Sequence, residues 1–325
     1  VNDELVWSIA AAFALDLALG DPRWMPHPVR IIGRCAAVLE NTLTRLLGPA
    51  RLSGVLFTAL IVGGSGLAVQ GLLVAAGRMD HRLATALTVY FLYTAFAARD
   101  LEVESTQVYR TLRRGSLAAA RRDVSMIVGR DTGHLTEGEV TRAAVETVAE
   151  STVDGIVAPL CFAVLGGAPA AIAFKAASTL DSMVGHRTDR YGRFGWAAAR
   201  LDDALNFIPA RLARLVYPLG ALLCGLDAAG CWRISWRDGW KSPSPNAGIG
   251  EAAVAGALGV RLGGANVYGG VKEVRPFLGD PTRPLEPEDI RRAVCLMYAT
   301  SMLVLVLLLG ARALLVLTEP WKHFS

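Results

Sequence analysis

Along the chain, uncharged apolar windows alternate with polar stretches. Residues 53–77 run 25 positions without a charge, 83–98 run 16, 155–174 run 20 and 293–311 run 19. At 1.5 Å per residue about 20 apolar residues cross a hydrocarbon core of roughly 30 Å, so two windows suffice alone and two come close. Weaker windows at 5–20 and 215–232 are interrupted by Asp16 and Asp227. The first could be a secretory signal, but its front carries Asp3 and Glu4 instead of bases and no small-residue cleavage site precedes the charged collar, so a retained helix is expected. The pattern predicts an all-α, polytopic integral membrane protein in the cell membrane. It has about five apolar segments, helical interfacial loops and one membrane-embedded domain over residues 1–325. Window 155–174 carries Gly166, Gly167 and Pro169 in its middle, which suits a re-entrant segment that dips into the bilayer and returns.

Four polar stretches separate the windows: 21–52, 99–154, 175–214 and 233–292. The second has almost no proline. Thr136 with Glu139 three positions on predicts a capped helix start, and the helix is expected to run to Pro159. In the fourth, proline and glycine make 242–248 a loop, and "IGEAAVAGALGV" predicts a short helix whose small residues allow close packing. The first, "GDPRWMPHPVRIIGR", predicts a stiff extended collar, because its prolines fix φ and remove backbone donors.

Composition agrees with lipid as the solvent: 53% of residues are hydrophobic and only 19% charged. A formal charge of +4, spread over several loops, gives nucleic-acid binding no support. Five cysteines form no CxxC pair and predict no redox or zinc chemistry. No Walker A, HExxH, GxSxG or βαβ-linked GxGxxG motif is present. "DGIVAP" shares its opening with the CDP-alcohol phosphotransferase signature, but Pro159 replaces the required Arg.

Two constellations carry potential chemistry. Glu146, Glu150 and Asp154 recur every four residues, so a helix aligns them in one stripe, extended backwards by Arg142 and Glu139. Such a stripe is commonly a solvated face; here it runs into an apolar segment, where carboxylates are costly unless paired or bound to a cation. The second is "FKAASTLDSMVGHRTDRYGRFGWAAARLDDALN". Its bases suit either a basic loop or an anion cradle, with interleaved acids able to hold Mg²⁺ against phosphates.

The collar, "VGRDTGHLTEGEVTRAAVETVAESTVDGIVAPL", "KAASTLDSMVGHRTDRYGRFGWAAARLDDALNFIPAR" and "SPSPNAGIGEAAVAGALGVRLGGANVYGG" resemble, in order and over nearly the whole chain, the adenosylcobinamide-phosphate synthase family of cobalamin biosynthesis. Two departures stand in the third block: Ser178 where members often carry Asn, and His186 where they carry an aromatic residue. The resemblance implies a membrane enzyme that joins adenosylcobyric acid, through its f-side-chain carboxylate, to the amine of (R)-1-amino-2-propanol O-phosphate or a related amino alcohol. ATP is the implied co-substrate, and the lipid bilayer and other membrane enzymes of late cobalamin assembly are implied partners. Activation of a carboxylate by phosphorylation calls for Mg²⁺ ligands, cationic phosphate grips and a base. The resulting assignments are Glu146, Glu150, Asp154 and Asp181 for metal; Arg130, Lys175, Arg187, Arg190 and Asn246 for phosphate; and Asp202, Asp203 or His134 as base. The competing class is a transporter, or a corrinoid-carrying membrane component without catalysis.

Overall fold

The structure, a computed structural model, describes residues 2–22, 24–186 and 191–317. Its α-helices are α1 (Asn2–Leu19), α2 (Pro28–Leu47), α3 (Arg51–Met79), α4 (His81–Tyr93), α5 (Ala98–Arg113), α6 (Leu117–Ser125), α7 (Glu137–Thr152), α8 (Ala158–Val184), α9 (Trp196–Leu205), α10 (Phe207–Leu223), α11 (Ala228–Asp238), α12 (Ala247–Leu258) and α13 (Glu288–Leu317). A π turn, Val153–Val157, joins α7 to α8, and strands β1 (Leu262–Tyr268) and β2 (Val271–Leu278) form a hairpin. The chain divides into two compact units: Val1–Ala97 with Ala158–Asn206 and Leu305–Ser325, and Ala98–Val157 with Phe207–Val304.

In the first unit, α3 packs on α2, α4, α8 and α9. Its packing face is small: a Cβ on Gly54 would lie 1.9 Å from the Phe194 carbonyl oxygen, and one on Gly66 would lie 3.3 Å from the Ala173 Cβ. Its large residues Leu52, Leu60, Leu67 and Leu72 point outward. Small inside and leucine outside is the inverse of a water-soluble helix and matches a lipid-facing one. Among the described residues, three stretches are long and apolar enough to cross a membrane: Arg51–Met79, Glu137–Val184 and Glu288–Leu315. The windows at 5–20 and 83–98 do form helices. However, α4 starts at its cap Asp80 and ends after 13 residues, about 20 Å, short of the roughly 30 Å hydrocarbon core.

The collar is shorter than expected, because Pro28 opens α2 at a position where its missing N–H costs nothing. The His27 side chain caps that helix, accepting from the Val29 N–H at 3.3 Å, and its Nε2 lies 3.1 Å from Asp21. Tyr90 and Tyr93 of α4 donate to the carbonyls of Pro26 and Gly20, pinning the collar to the helix beside it. Asp16 is buried on α1. The apolar segment of α8 is broken at Gly166 (φ −141°, ψ 18°) and Gly167 (φ 66°, ψ −157°), at the interruption expected from the sequence.

The second unit is built around α12, which is buried along nearly its whole length. A Cβ on Gly250 would come 2.7 Å from the Ala149 carbonyl of α7, and one on Gly256 would come 2.3 Å from the Gly230 carbonyl of α11. The short helix predicted from small residues is therefore present and packed as expected. The window at 215–232 is not one segment: α10 ends at Leu223, and Asp227 caps α11 by accepting from the Gly230 N–H at 2.8 Å. Nor does Pro159 end the helix begun at Thr136. The π turn just before it disrupts the regular hydrogen-bond ladder where a proline has no N–H to give. The helical character expected of the chain holds, with one local departure, the hairpin at residues 262–278. Gly269 and Gly270 both hold positive φ, which a two-residue hairpin turn of matching twist demands, and Tyr268 pairs with Val271 across it.

Candidate functional site

The capping box predicted for α7 is present: the Glu139 carboxylate accepts from the Thr136 N–H at 2.8 Å, and the Thr136 hydroxyl from the Glu139 N–H at 3.4 Å. This fixes the helical phase of the stripe. Arg142 and Glu146 are buried, while Glu150 and Asp154 are half-buried, so the stripe is not a solvated face.

Glu146 is the centre of a buried ionic network. Arg130 Nη2 donates to its Oε2 at 2.5 Å, the Gly263 N–H donates to its Oε1 at 2.8 Å, and Arg142 Nη1 lies 3.6 Å away. Arg130 Nη1 also donates to Asn266 Oδ1 at 2.8 Å, and Arg142 Nη2 to the same oxygen at 3.1 Å and to the Ala265 carbonyl at 3.0 Å. The Asn266 Nδ2 is buried without a hydrogen-bond partner among the described residues. Sequence blocks more than a hundred residues apart thus meet at one carboxylate, because β1 brings its main chain against α7.

Glu251 of α12 is the further acid of this centre. It is buried, and burial together with the like charges of Glu150 and Glu146 pushes its carboxyl well above the usual range. Arg275 of β2 feels Glu251, Glu150 and Glu146 and lies 5.8 Å from the Tyr268 ring. Carboxyls and guanidiniums gathered in a low-dielectric interior can orient an anionic reactant, shift proton affinities and exclude water.

The remaining candidates distribute as follows. His134 is exposed in the turn before α7. Asn246, buried at the start of α12, does not cap the helix with its side chain; its Oδ1 accepts from Arg211 Nη1 at 2.6 Å. In the other unit, Lys175 and Asp181 are half-buried on α8, and Asp202 and Asp203 on α9. Asp203 exerts its charge on Asp181 and lies 3.6 Å from Arg200, while Asp202 accepts from Asn206 Nδ2 at 3.1 Å. Arg187 and Arg190 lie outside the described residues. No three His, Cys, Asp or Glu side chains among the described residues are grouped to hold a metal ion.

Glu251, Asn266, Arg275 and Arg142 were not among the site residues expected from sequence. Glu251 left a signal, being the sole charge between Lys241 and Arg261. The others left little, because their role depends on a hairpin docking against α7. Another buried carboxylate, Asp238, is held well below the ordinary range by Arg237, Lys241 and the Gly279 N–H. It ties the end of α11 to the end of the hairpin. The cysteines also contain a pair: Cys295 Sγ lies 2.8 Å from Cys224 Sγ.

With this geometry in place, comparison with known proteins is informative. The chain is 49% identical over 311 residues to "Cobalamin biosynthesis protein CobD" of Geobacter metallireducens, covering 96% of this chain and 98% of the relative. It is 49% identical over 308 residues to the protein of the same name from Pelobacter propionicus, covering 94% and 95%. "Cobalamin biosynthesis protein CbiB" of Salmonella typhimurium is 43% identical over 311 residues, covering 95% and 97%. No solved structure matches the chain. The family model described as CobD/Cbib protein matches residues 9–297, and the chain belongs to that family.

Proposed function

We propose that this chain is a multi-pass membrane enzyme of cobalamin biosynthesis, an adenosylcobinamide-phosphate synthase. It joins the f-side-chain carboxylate of adenosylcobyric acid to the amine of (R)-1-amino-2-propanol O-phosphate, or of a related amino alcohol, at the expense of ATP. The observation that carries this reading is full-length kinship with proteins named for cobalamin biosynthesis. The convergence of two of the four blocks on Glu146 supports a built site within that frame.

Amide formation from a carboxylate in water requires activation. Phosphorylation gives an acyl phosphate, and attack by the neutral amine then expels phosphate. Arg275 and the network around Arg130 supply positive charge against developing phosphate charge, and the half-buried carboxyl of Asp154 can take the ammonium proton. Mg²⁺ would neutralise the transferred phosphoryl group. Glu146 does not fit as its ligand, because both its oxygens already accept from Arg130 and the Gly263 N–H. Glu150 and Glu251 fit better: this ion commonly takes one or two protein carboxylates and completes its shell with phosphate oxygens and water.

The test is a purified assay in detergent with adenosylcobyric acid, aminopropanol phosphate, ATP and Mg²⁺, read by mass spectrometry for the amide. Product that depends on the protein and on ATP is expected. Its absence in active-lipid nanodiscs and in detergent alike, with the protein folded, refutes the reading and favours a carrier that does no chemistry.

A further inference from the structure

We propose that Arg214, with the first turn of α12, forms an anion site that receives the phosphate group of a phosphomonoester. Arg214 is 2% exposed, and its Nε and Nη2 atoms have no hydrogen-bond partner among the described residues. Its guanidinium lies 4.5 Å from the Trp236 ring centroid and 4.7 Å from that of Trp240. Stacking of this kind leaves the in-plane donors unused and the charge unneutralised.

The electrostatics are the opposite of those at Glu146. There, buried arginines face a carboxylate. Here the charge acting on Arg214 is the like charge of Arg211, one turn away on α10. A guanidinium cannot shed its proton to escape burial, so a buried Arg214 beside the half-buried Arg211 calls for an anion.

Geometry places α12 beside it. A Cβ on Gly239 would lie 2.9 Å from Arg214 Nη2 and 3.3 Å from the Ile249 Cα, so this side-chain-free position stands between the guanidinium and the opening of the helix. A Cβ on Gly248 would in turn lie 2.7 Å from the Gly239 carbonyl. The N-cap Asn246 gives no side-chain cap, its Oδ1 being taken by Arg211. The Ser244 hydroxyl accepts from the Asn246 and Ala247 N–H groups at 3.3 and 3.4 Å, so what this helix start turns towards an anion is the positive end of its dipole. The Nε and Nη2 edge of a guanidinium matches two phosphate oxygens side-on, and two positive charges favour a dianion over a carboxylate.

The site rests on the surroundings of Arg214 and not on the synthase reading; if that reading holds, aminopropanol phosphate carries the group, and ATP ends in an anhydride-linked phosphate of similar shape and charge. Phosphatidic acid carries it too.

The experiment uses the full chain in neutral detergent. Inorganic phosphate, aminopropanol phosphate, ATP and phosphatidic acid are each titrated, with binding read by melting midpoint and, for the soluble ligands, by ³¹P line broadening. A saturable response to at least one is expected in the wild type; which arm responds identifies the source as soluble ester or lipid. Arg214→Met should lose the response while melting no lower than the wild type, since it removes an uncompensated buried charge. Arg214→Lys, which keeps the charge and loses the fork, should weaken binding roughly tenfold. If Arg214→Met fails to fold, Arg214→Lys alone decides. No response in any arm, or unchanged affinity in the substituted proteins, overturns the site. These are binding measurements without corrinoid, so their failure is separable from failure to make the amide.

Discussion

Glu146→Gln is the sharpest perturbation the second unit offers. The amide keeps the shape of the carboxylate but removes the anion that Arg130 contacts at 2.5 Å and Arg142 approaches at 3.6 Å. All three side chains are less than a tenth exposed, at 6%, 5% and 9%, so water cannot replace the lost charge. At an effective dielectric of 20, opposite charges about 4 Å apart attract by about 4 kcal/mol. Removing one partner of a buried pair typically costs about 3–5 kcal/mol, and the two values agree. For a chain of this size that is a fall in melting midpoint on the order of 10 °C. The assay is tryptophan fluorescence during heating in detergent, run as a cycle with Arg130→Met. Because the double substitution removes a pair and not half of one, it should recover part of the loss, with a coupling energy of about 1–3 kcal/mol. A Glu146→Gln midpoint within about 2 °C of wild type would mean that the arginines draw on other anions and that Glu146 is not the keystone.

Glu251 gives a pH dependence whose sign is fixed. Its folded carboxyl titrates above the unfolded one, so the associated stability is complete below about pH 4.5 and is lost as pH rises through the folded value, at up to about 1.4 kcal/mol per unit. Relative to wild type, Glu251→Gln should therefore gain stability as pH rises above about 4.5; parallel melting curves would refute this. Gly250→Ala should destabilise by about 1–3 kcal/mol through its clash with the Ala149 carbonyl, whereas Gly63→Ala, with open space around it, should be neutral or stabilise α3 by up to about 1 kcal/mol. Denaturant titration of the two variants checks the contrast. Treatment with diamide should join Cys224 to Cys295 within one chain, slowly, because burial pushes the Cys224 thiol up to about 12. Peptide mapping without reductant reads the link, and its absence would place the thiols farther apart than they stand here.

Local signals were legible where a short run of residues decides the outcome alone. The Thr136–Glu139 box, the break at Gly166–Gly167 and the close-packed α12 are each settled by chemistry within a few positions. The i+4 spacing of Arg142, Glu146, Glu150 and Asp154 placed them on one face, but not what that face meets. That depends on β1, and the strand was missed although Tyr268, two glycines and Val271 form a hairpin signature, since neighbouring glycines weaken the alternation. Arg214 was invisible for another reason. An arginine in an amphipathic helix looks the same in sequence whether it snorkels to water or is sealed under tryptophans. The length of α4 escaped prediction because the helix stops at Tyr93 and gives way to turn bonds from Ala95 and Phe96 while the residues stay uncharged to position 98.

The closure of Glu146 by a main-chain N–H of Gly263 has a consequence for synthesis of the chain. That donor is 117 residues downstream, so α7 leaves the ribosome long before the group that completes its ionic centre exists. Until β1 arrives, Arg142 and Glu146 keep their hydration, and α7 must remain close to water instead of settling into place. Assembly of this unit therefore includes a drying event, in which the hairpin closes over charges that the early chain had no means to shelter.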